Sequence, residues 1–308
     1  MIALPTKVEF PESHPLAGPV ERFLTDLANA GKSPHTLRCY RDDLAQFARH
    51  HDGGVEAIDA GALRGFLSAI SEQAKATRAR KQATLASFLR WCRTHDLLNA
   101  DPMATLERIA TPQRQPRGVD PARVQRVLDA IPRTRLRDRV LFGLIASTGL
   151  RASEALGTHT DDLSMATDDE HLSVVGKGDK QRTILLDDPA LLALLRRYLR
   201  HSGHQHGPLF RATKNGIGGP LRYASAEELW RKYRAAAGER ITQHQLRHTH
   251  GTELVNDGVP IETVRKRLGH SDIRSTLLYA EKTDKTADNE IRAWRRKRRP
   301  PAQRRSSP

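Results

Sequence analysis

Apolar residues recur at helical spacing along nearly the whole chain, and one short region alone replaces that pattern with paired strand-like runs. Val20, Phe23, Leu24 and Leu27 share a helix face that Gly31 terminates. Ser33 then supplies an N-cap, with Pro34 at the first helical position and Leu37, Tyr40, Leu44 and Phe47 inward. Leu63, Phe66, Leu67 and Ile70 mark a third helix. Thr77 is placed to cap a fourth, whose inner face carries Leu85, Phe88, Leu89 and Cys92. The exception comprises residues 171–175 and 182–186, joined through Gly176 and Gly178, which read as a β-hairpin. The expected fold class is mainly α with one small hairpin or sheet.

A chain of 308 residues can bury two cores. The stretch from Ala110 to Val119 holds Pro112, Pro116 and Gly118 among polar and basic residues, which opposes regular structure. We therefore read a helical domain over 1–110, a linker over 111–119 and a second domain over 120–308, with a basic tail from about 284. Asp120-Pro121 opens the second domain with a cap and an N1 proline, followed by Val124, Val127, Leu128 and Ile131 on one face. A mostly apolar helix over 136–149 ends at Gly149. Further helices are expected at 189–200 and 225–237. Thr242 and Gln245 have capping-box spacing at the start of another. Gly258 ends that helix, Gly269 ends its successor, and Ser271 is placed to cap a last helix carrying Tyr279.

The formal charge of +15 points to a polyanionic partner, and nucleic acid is the natural one. Lys75, Arg78, Arg80 and Lys81 admit two readings, a solvated helix face or a surface that tracks phosphates. Arg114 and Arg117 in the linker suit a strap across DNA. Cys39 and Cys92 fall on apolar helix faces and read as buried free thiols of a reducing compartment. No stretch approaches the ~20 apolar residues of a membrane span, and no secretory signal is present, so the expected location is the cytoplasm.

Six side chains carry the chemistry. Arg151 lies in Thr148-Gly-Leu-Arg-Ala-Ser-Glu154, Lys177 in the hairpin turn, His244 and Arg247 in His-Gln-Leu-Arg, His270 in Leu-Gly-His, and Tyr279 nine residues on. Each alone has a plainer explanation; Arg151, for instance, could simply pair with Glu154. Together they can neutralise a phosphate, move protons and supply an oxygen nucleophile, which points to DNA strand cleavage through a tyrosyl phosphate. His244 and His248 stand at zinc-ligand spacing, but Arg247 between them would repel a metal, and no metal site is expected. The acids at 161–162, 168–170 and 187–188 have only one hairpin as scaffold, too little for a two-metal nuclease. No phosphate-binding Gly-rich loop is present, so neither ATP nor any cofactor is expected.

These motifs resemble the tyrosine recombinase, or phage integrase, family over nearly the whole chain. The pattern from Ser33 to Phe47 is similar to the family's helical, SAM-like core-binding domain, and the part from about 120 onward to its mixed α/β catalytic domain of the compact Xer-like type. By motif match, Arg151 and Arg247 are the two catalytic arginines, Lys177 the hairpin lysine, His244 and His270 the catalytic histidines, and Tyr279 the nucleophile. After His248 the chain reads Thr-His-Gly-Thr, where the family commonly has an aromatic and an alanine. The resemblance implies a 3′-phosphotyrosyl intermediate, double-stranded DNA with a specific site as substrate, and a four-protomer synapse, with a second recombinase as a further possible partner. Thr286 to Lys297 can form a helix with Ile291 and Trp294 on one side, a plausible peg for a neighbouring protomer. Two other classes stay open on sequence alone: a DNA-binding protein without catalysis, and a strand-relaxing topoisomerase of related chemistry.

Overall fold

The computed structural model describes residues 10, 13–111, 118–176, 181–212 and 218–269. The chain divides into two compact units, residues 1–113 and 114–308.

The first unit is helical. Helices α1 (Ala17–Asn29), α2 (Pro34–Ala48), α3 (Ala60–Ala69) and α4 (Lys75–Thr94) bury one core that includes Val20, Phe23, Leu44, Phe47, Leu63, Phe66, Leu85 and Phe88. Phe23 and Phe88 meet edge to face, with ring centroids 5.5 Å apart. Ser33 caps α2 as its sequence promises, accepting from the Thr36 N–H at 3.2 Å. The start of α4 differs from expectation. It begins at Lys75 behind Ala74, without a side-chain cap, and Thr77 lies inside its first turn. Cys92 is buried, and burial pushes its thiol up to about 12. Cys39 is half-buried rather than buried, with its Sγ 3.6 Å from His35 Nε2.

In the second unit, α5 (Pro121–Asp129) and α6 (Leu136–Thr148) are followed by the short α7 (Ala152–Leu156). Strands β1 (Leu163–Ser164), β2 (His171–Val175) and β3 (Gln181–Leu185) form an antiparallel sheet in that order. The hairpin pairs Leu172 with Ile184, and β1 adds a third strand by pairing Leu163 with Leu172. Then come α8 (Pro189–Ser202), α9 (Tyr223–Ala236), α10 (Gln243–Asn256) and α11 (Ile261–Leu268). Helix α6 runs through the middle, packed by α8 and α10, so residues on all its sides are buried, among them Val140, Leu141, Phe142, Leu144 and Ile145. Trp230 anchors α9, its indole N–H donating to the Ile241 carbonyl at 2.7 Å.

Gly149 ends α6 with φ +68, a conformation that L side chains resist. A Cβ there would also stand 2.6 Å from Leu268 Cδ2 and 2.8 Å from His250 Cδ2. The backbone of the Arg151 corner can thus pack directly on α10 and α11. Among the described residues, no helix is long and apolar enough to cross a membrane.

Candidate active site

Helix α10 begins with the reciprocal cap expected of its sequence. Thr242 Oγ1 accepts from the Gln245 N–H at 3.3 Å, and Gln245 Oε1 accepts from the Thr242 N–H at 2.9 Å. This fixes the first turn, on which His244 and Arg247 stand one turn apart and share a face.

Arg247 is 2% exposed. Its Nη1 donates to the Gly149 carbonyl at 2.8 Å and its Nη2 to the Leu268 carbonyl at 2.7 Å. One guanidinium therefore joins the turn that leads into Arg151 to the helix end that leads into His270. Burying a cation this deeply is costly unless its donors are matched, and the planar fork reaches two acceptors that a lysine could not reach together.

Arg151 sits at the N-terminus of α7. Its backbone N–H donates to Glu154 Oε2 at 2.9 Å and its Nη1 to Glu154 Oε1 at 2.7 Å. Glu154 also receives Arg182 of β3, with Nη1 at 3.1 Å and Nη2 at 2.9 Å. Burial would raise the Glu154 carboxyl, but the hydrogen bonds from Arg182 and from the Arg151 backbone, with the nearby positive charge, outweigh it and hold the group at about 2. The ion pair is real, and it does not consume Arg151: a guanidinium carries five donors, and 36% of this side chain is exposed.

His244 lies within the field of both arginines. Desolvation of its ring, then the charges of Arg247 and Arg151, lower its pKa below the ordinary histidine value. At neutral pH it is an uncharged imidazole able to accept a proton. The structure thus brings together Arg151, at the start of α7, with His244 and Arg247 of α10, two widely separated stretches of chain. Lys177, His270 and Tyr279 lie outside the described residues, as do Arg114, Arg117 and the tail with Ile291 and Trp294.

The basic run of the first unit is not the uniform surface that its sequence suggests. Lys75 is exposed and Arg78 half-buried. Arg80 is exposed but paired with Asp43, and Lys81 is 3% exposed. The Lys81 ammonium donates to Gln73 Oε1 at 2.6 Å and to Gln46 Oε1. Burial lowers its pKa, and burial raises that of Asp43. The reason is helical register: Lys81 falls on the same inward face of α4 as Thr84, Leu85 and Phe88.

Sequence alone assigns no role to Arg182, His250 or Arg267. Arg267 donates through Nε to His250 Nε2 at 3.1 Å and through Nη2 to the Ser147 carbonyl and to Asp187 Oδ1, both at 3.2 Å. His250 is the ring that packs on Gly149, and it stands in the Thr-His-Gly-Thr stretch that departs from the family pattern. Arg182 is visible as the last residue of Gly-Lys-Gly-x-Lys-x-Arg, but nothing local names its partner.

Residues 118–286 match the phage integrase family, more than half of the chain. The chain belongs to that family. Residues 20–95 of this integrase match the family's N-terminal SAM-like domain. The tyrosine recombinase XerC of Rhodospirillum centenum is 33% identical to the integrase over 273 residues, covering 82% of this chain and 78% of that protein. XerA of Thermococcus kodakarensis is 32% identical over 270 residues, covering 86% and 90%. Among solved structures, the XerH site-specific recombinase bound to palindromic difH substrate superposes with TM-score 0.70 at 21% identity, covering 90% of this chain and 84% of that one. A lambda integrase dimer bound to a core site gives TM-score 0.69 at 17% identity, covering 84% and 96%. The integrase shares their fold, a mostly helical chain with a small antiparallel sheet, and its sequence relatives are tyrosine recombinases.

Proposed function

We propose that the integrase is a site-specific DNA recombinase that cuts and rejoins strands through Tyr279, without metal or ATP. The observation that carries the reading is the convergence of Arg151 and Arg247 on a histidine whose pKa they help to lower. Two guanidinium groups can hold the scissile phosphate and stabilise the charge that grows as its phosphorus is attacked. The Tyr279 oxygen forms a bond to phosphorus while the bond to the 5′ oxygen breaks. The phenol, with an ordinary pKa of ~10, must lose its proton in this step, and neutral His244 accepts it. Lys177 protonates the departing 5′ oxygen, and His270 orients the phosphate. The product is a 3′-phosphotyrosyl bond and a free 5′ hydroxyl. A hydroxyl from a second DNA reverses the step, so bond energy is conserved and no nucleotide is consumed.

The partner is double-stranded DNA carrying a specific site, in keeping with the DNA-bound recombinases of the same fold. The active assembly is a homotetramer in a synapse, as in the lambda integrase tetramer bound to a Holliday junction, and a second recombinase can take part. Residues 1–110 form the core-binding domain, 111–119 the linker with Arg114 and Arg117 on the backbone, and 120–308 the catalytic domain. Such a protein works in the cytoplasm, where DNA lies. The test is covalent trapping on nicked suicide DNA in EDTA. Wild-type protein should give an SDS-resistant adduct and Tyr279→Phe none, because only the attacking oxygen is removed. An adduct from the Phe variant, or an absolute need for added metal, would overturn the reading, and sequencing the trapped DNA would identify the site.

A further inference from the structure

Arg182 makes three contacts that tie β3 to the start of α7 and to the end of α11. Its fork holds both carboxylate oxygens of Glu154, at 3.1 and 2.9 Å. Its Nε donates to the Arg267 carbonyl at 3.3 Å. Its guanidinium also lies against Gly269, where an added Cβ would fall 2.7 Å from Arg182 Cζ. Gly269 has φ +65 as well, so glycine there serves both the turn and the close approach of Arg182. Strand β3, the N-terminus of α7 and the end of α11 all meet at this one side chain, which is 14% exposed. In sequence, Lys177 stands shortly before Arg182 and His270 directly after the glycine that Arg182 covers. Arg151 shares its carboxylate.

The charges around Glu154 give this junction a further consequence. Glu154 is 5% exposed and ionised, and it bonds Arg151 directly. A buried carboxylate with Arg151 as its sole cation would cancel the charge that a phosphate must feel. With Arg182 present, two guanidinium groups share one carboxylate, and the trio keeps a net positive charge beside the substrate. The Arg151 backbone N–H is a further donor to the same carboxylate.

We infer that Arg182 is a positioning residue for strand cleavage: by offsetting the charge of Glu154 it leaves Arg151 its charge for the scissile phosphate, and by its fork it ties β3 to the Arg151 corner and to Gly269 at the end of α11. This inference rests on the recombinase reading above. It requires that Arg182 act through Glu154 and Arg151, not through contact with the reacting atoms.

The experiment measures single-turnover cleavage of a suicide duplex, together with DNA affinity, for the full chain and three variants. Arg182→Met removes charge and fork. Arg182→Lys keeps the charge alone. Glu154→Gln with Arg182→Met removes the carboxylate charge that Arg182 offsets, while the Gln oxygen can still accept from Arg151. Arg182→Met should slow cleavage by up to about 100-fold, the scale of a misplaced reacting group, while the dissociation constant for DNA stays within about 3-fold. Arg182→Lys and the double variant should each recover at least about 10-fold of that loss. A merely structural arginine predicts the opposite order, with the double variant the worst of the three. Wild-type rates in Arg182→Met, or a double variant no faster than Arg182→Met, would overturn the inference. If Arg182→Met does not fold, the same decision falls to Arg182→Lys against the double variant: cleavage by both within about 10-fold of wild type supports the charge role, and loss in both overturns it. Wild-type protein that leaves no adduct would instead sink the recombinase reading itself, a result distinct from any ranking of the variants.

Discussion

The Nη2 of Arg247 donates to the Leu268 carbonyl at 2.7 Å, across 21 residues of chain. Through Nη1 the same group reaches Gly149, across 98. The arginine proposed to hold the phosphate is therefore also a strut between the ends of α6 and α11. Replacing Arg247 by Ala leaves two buried carbonyls without these donors, at about 1–3 kcal/mol each. We expect a lower urea midpoint as well as abolished cleavage. A variant as stable as wild type would show that the carbonyls find other partners and that the strut is dispensable.

The tasks proposed for Lys177 and Arg247 differ, and a sulfur substitution separates them. Lys177→Ala should slow cleavage strongly on ordinary DNA. A substrate whose 5′ bridging oxygen is sulfur needs no proton on departure, so it should restore that variant. Arg247→Ala should gain far less, because the task proposed for it is the charge on the phosphate. Equal recovery of both variants would refute this division.

His250 should make the fold acid-sensitive. Burial, then the charge of Arg267, lowers its pKa to about 4. In the unfolded chain a histidine titrates near 6.5, so between about pH 6.5 and 4 the unfolded state binds the extra proton. Stability from this group is complete above that window and falls as pH drops through it, by on the order of 3 kcal/mol. Glu154, held at about 2, loses its contribution only at lower pH, between its ordinary carboxylate range and that value. His250→Gln keeps an acceptor for Arg267 and should flatten the dependence of urea midpoint on pH from 6.5 to 4. An unchanged slope would assign the acid sensitivity elsewhere.

The inward turn of Lys81 predicts its silence in DNA binding. Removing one cation from a phosphate lowers the slope of log affinity against log salt by roughly one. Lys81→Met should leave that slope unchanged, whereas Lys75→Ala, at an exposed position, should reduce it. Gel shifts across a salt series measure both. A reduced slope for Lys81→Met would mean that the ammonium leaves Gln46 and Gln73 for the DNA.

Features that depend on a few consecutive residues were legible in the sequence. The Ser33 and Thr242 caps, the glycine stop after α6 and the strand pair read at 171–175 and 182–186 and found at 171–175 and 181–185 follow from backbone donors, positive φ and strand periodicity within one turn or one strand. Arg151, His244 and Arg247 stood out as candidates because their spacing is itself the motif, and the structure places both arginines within the electrostatic reach of His244. Strand β1 was not, since two residues carry no periodicity and only pairing with Leu172 defines them. Nor was the face of Lys81, because a basic residue near the edge of an amphipathic helix turns in or out according to the acceptors that neighbouring helices bring. The partners of Arg182 and Arg247 were equally hidden. Glu154 is 28 residues from Arg182 and Gly149 is 98 from Arg247, so only the packing of α6, β3, α10 and α11 decides that these charges and carbonyls meet. Local sequence chose the elements and the candidate reacting groups; long-range packing chose which cations are engaged by protein acceptors, because those acceptors come from distant parts of the chain.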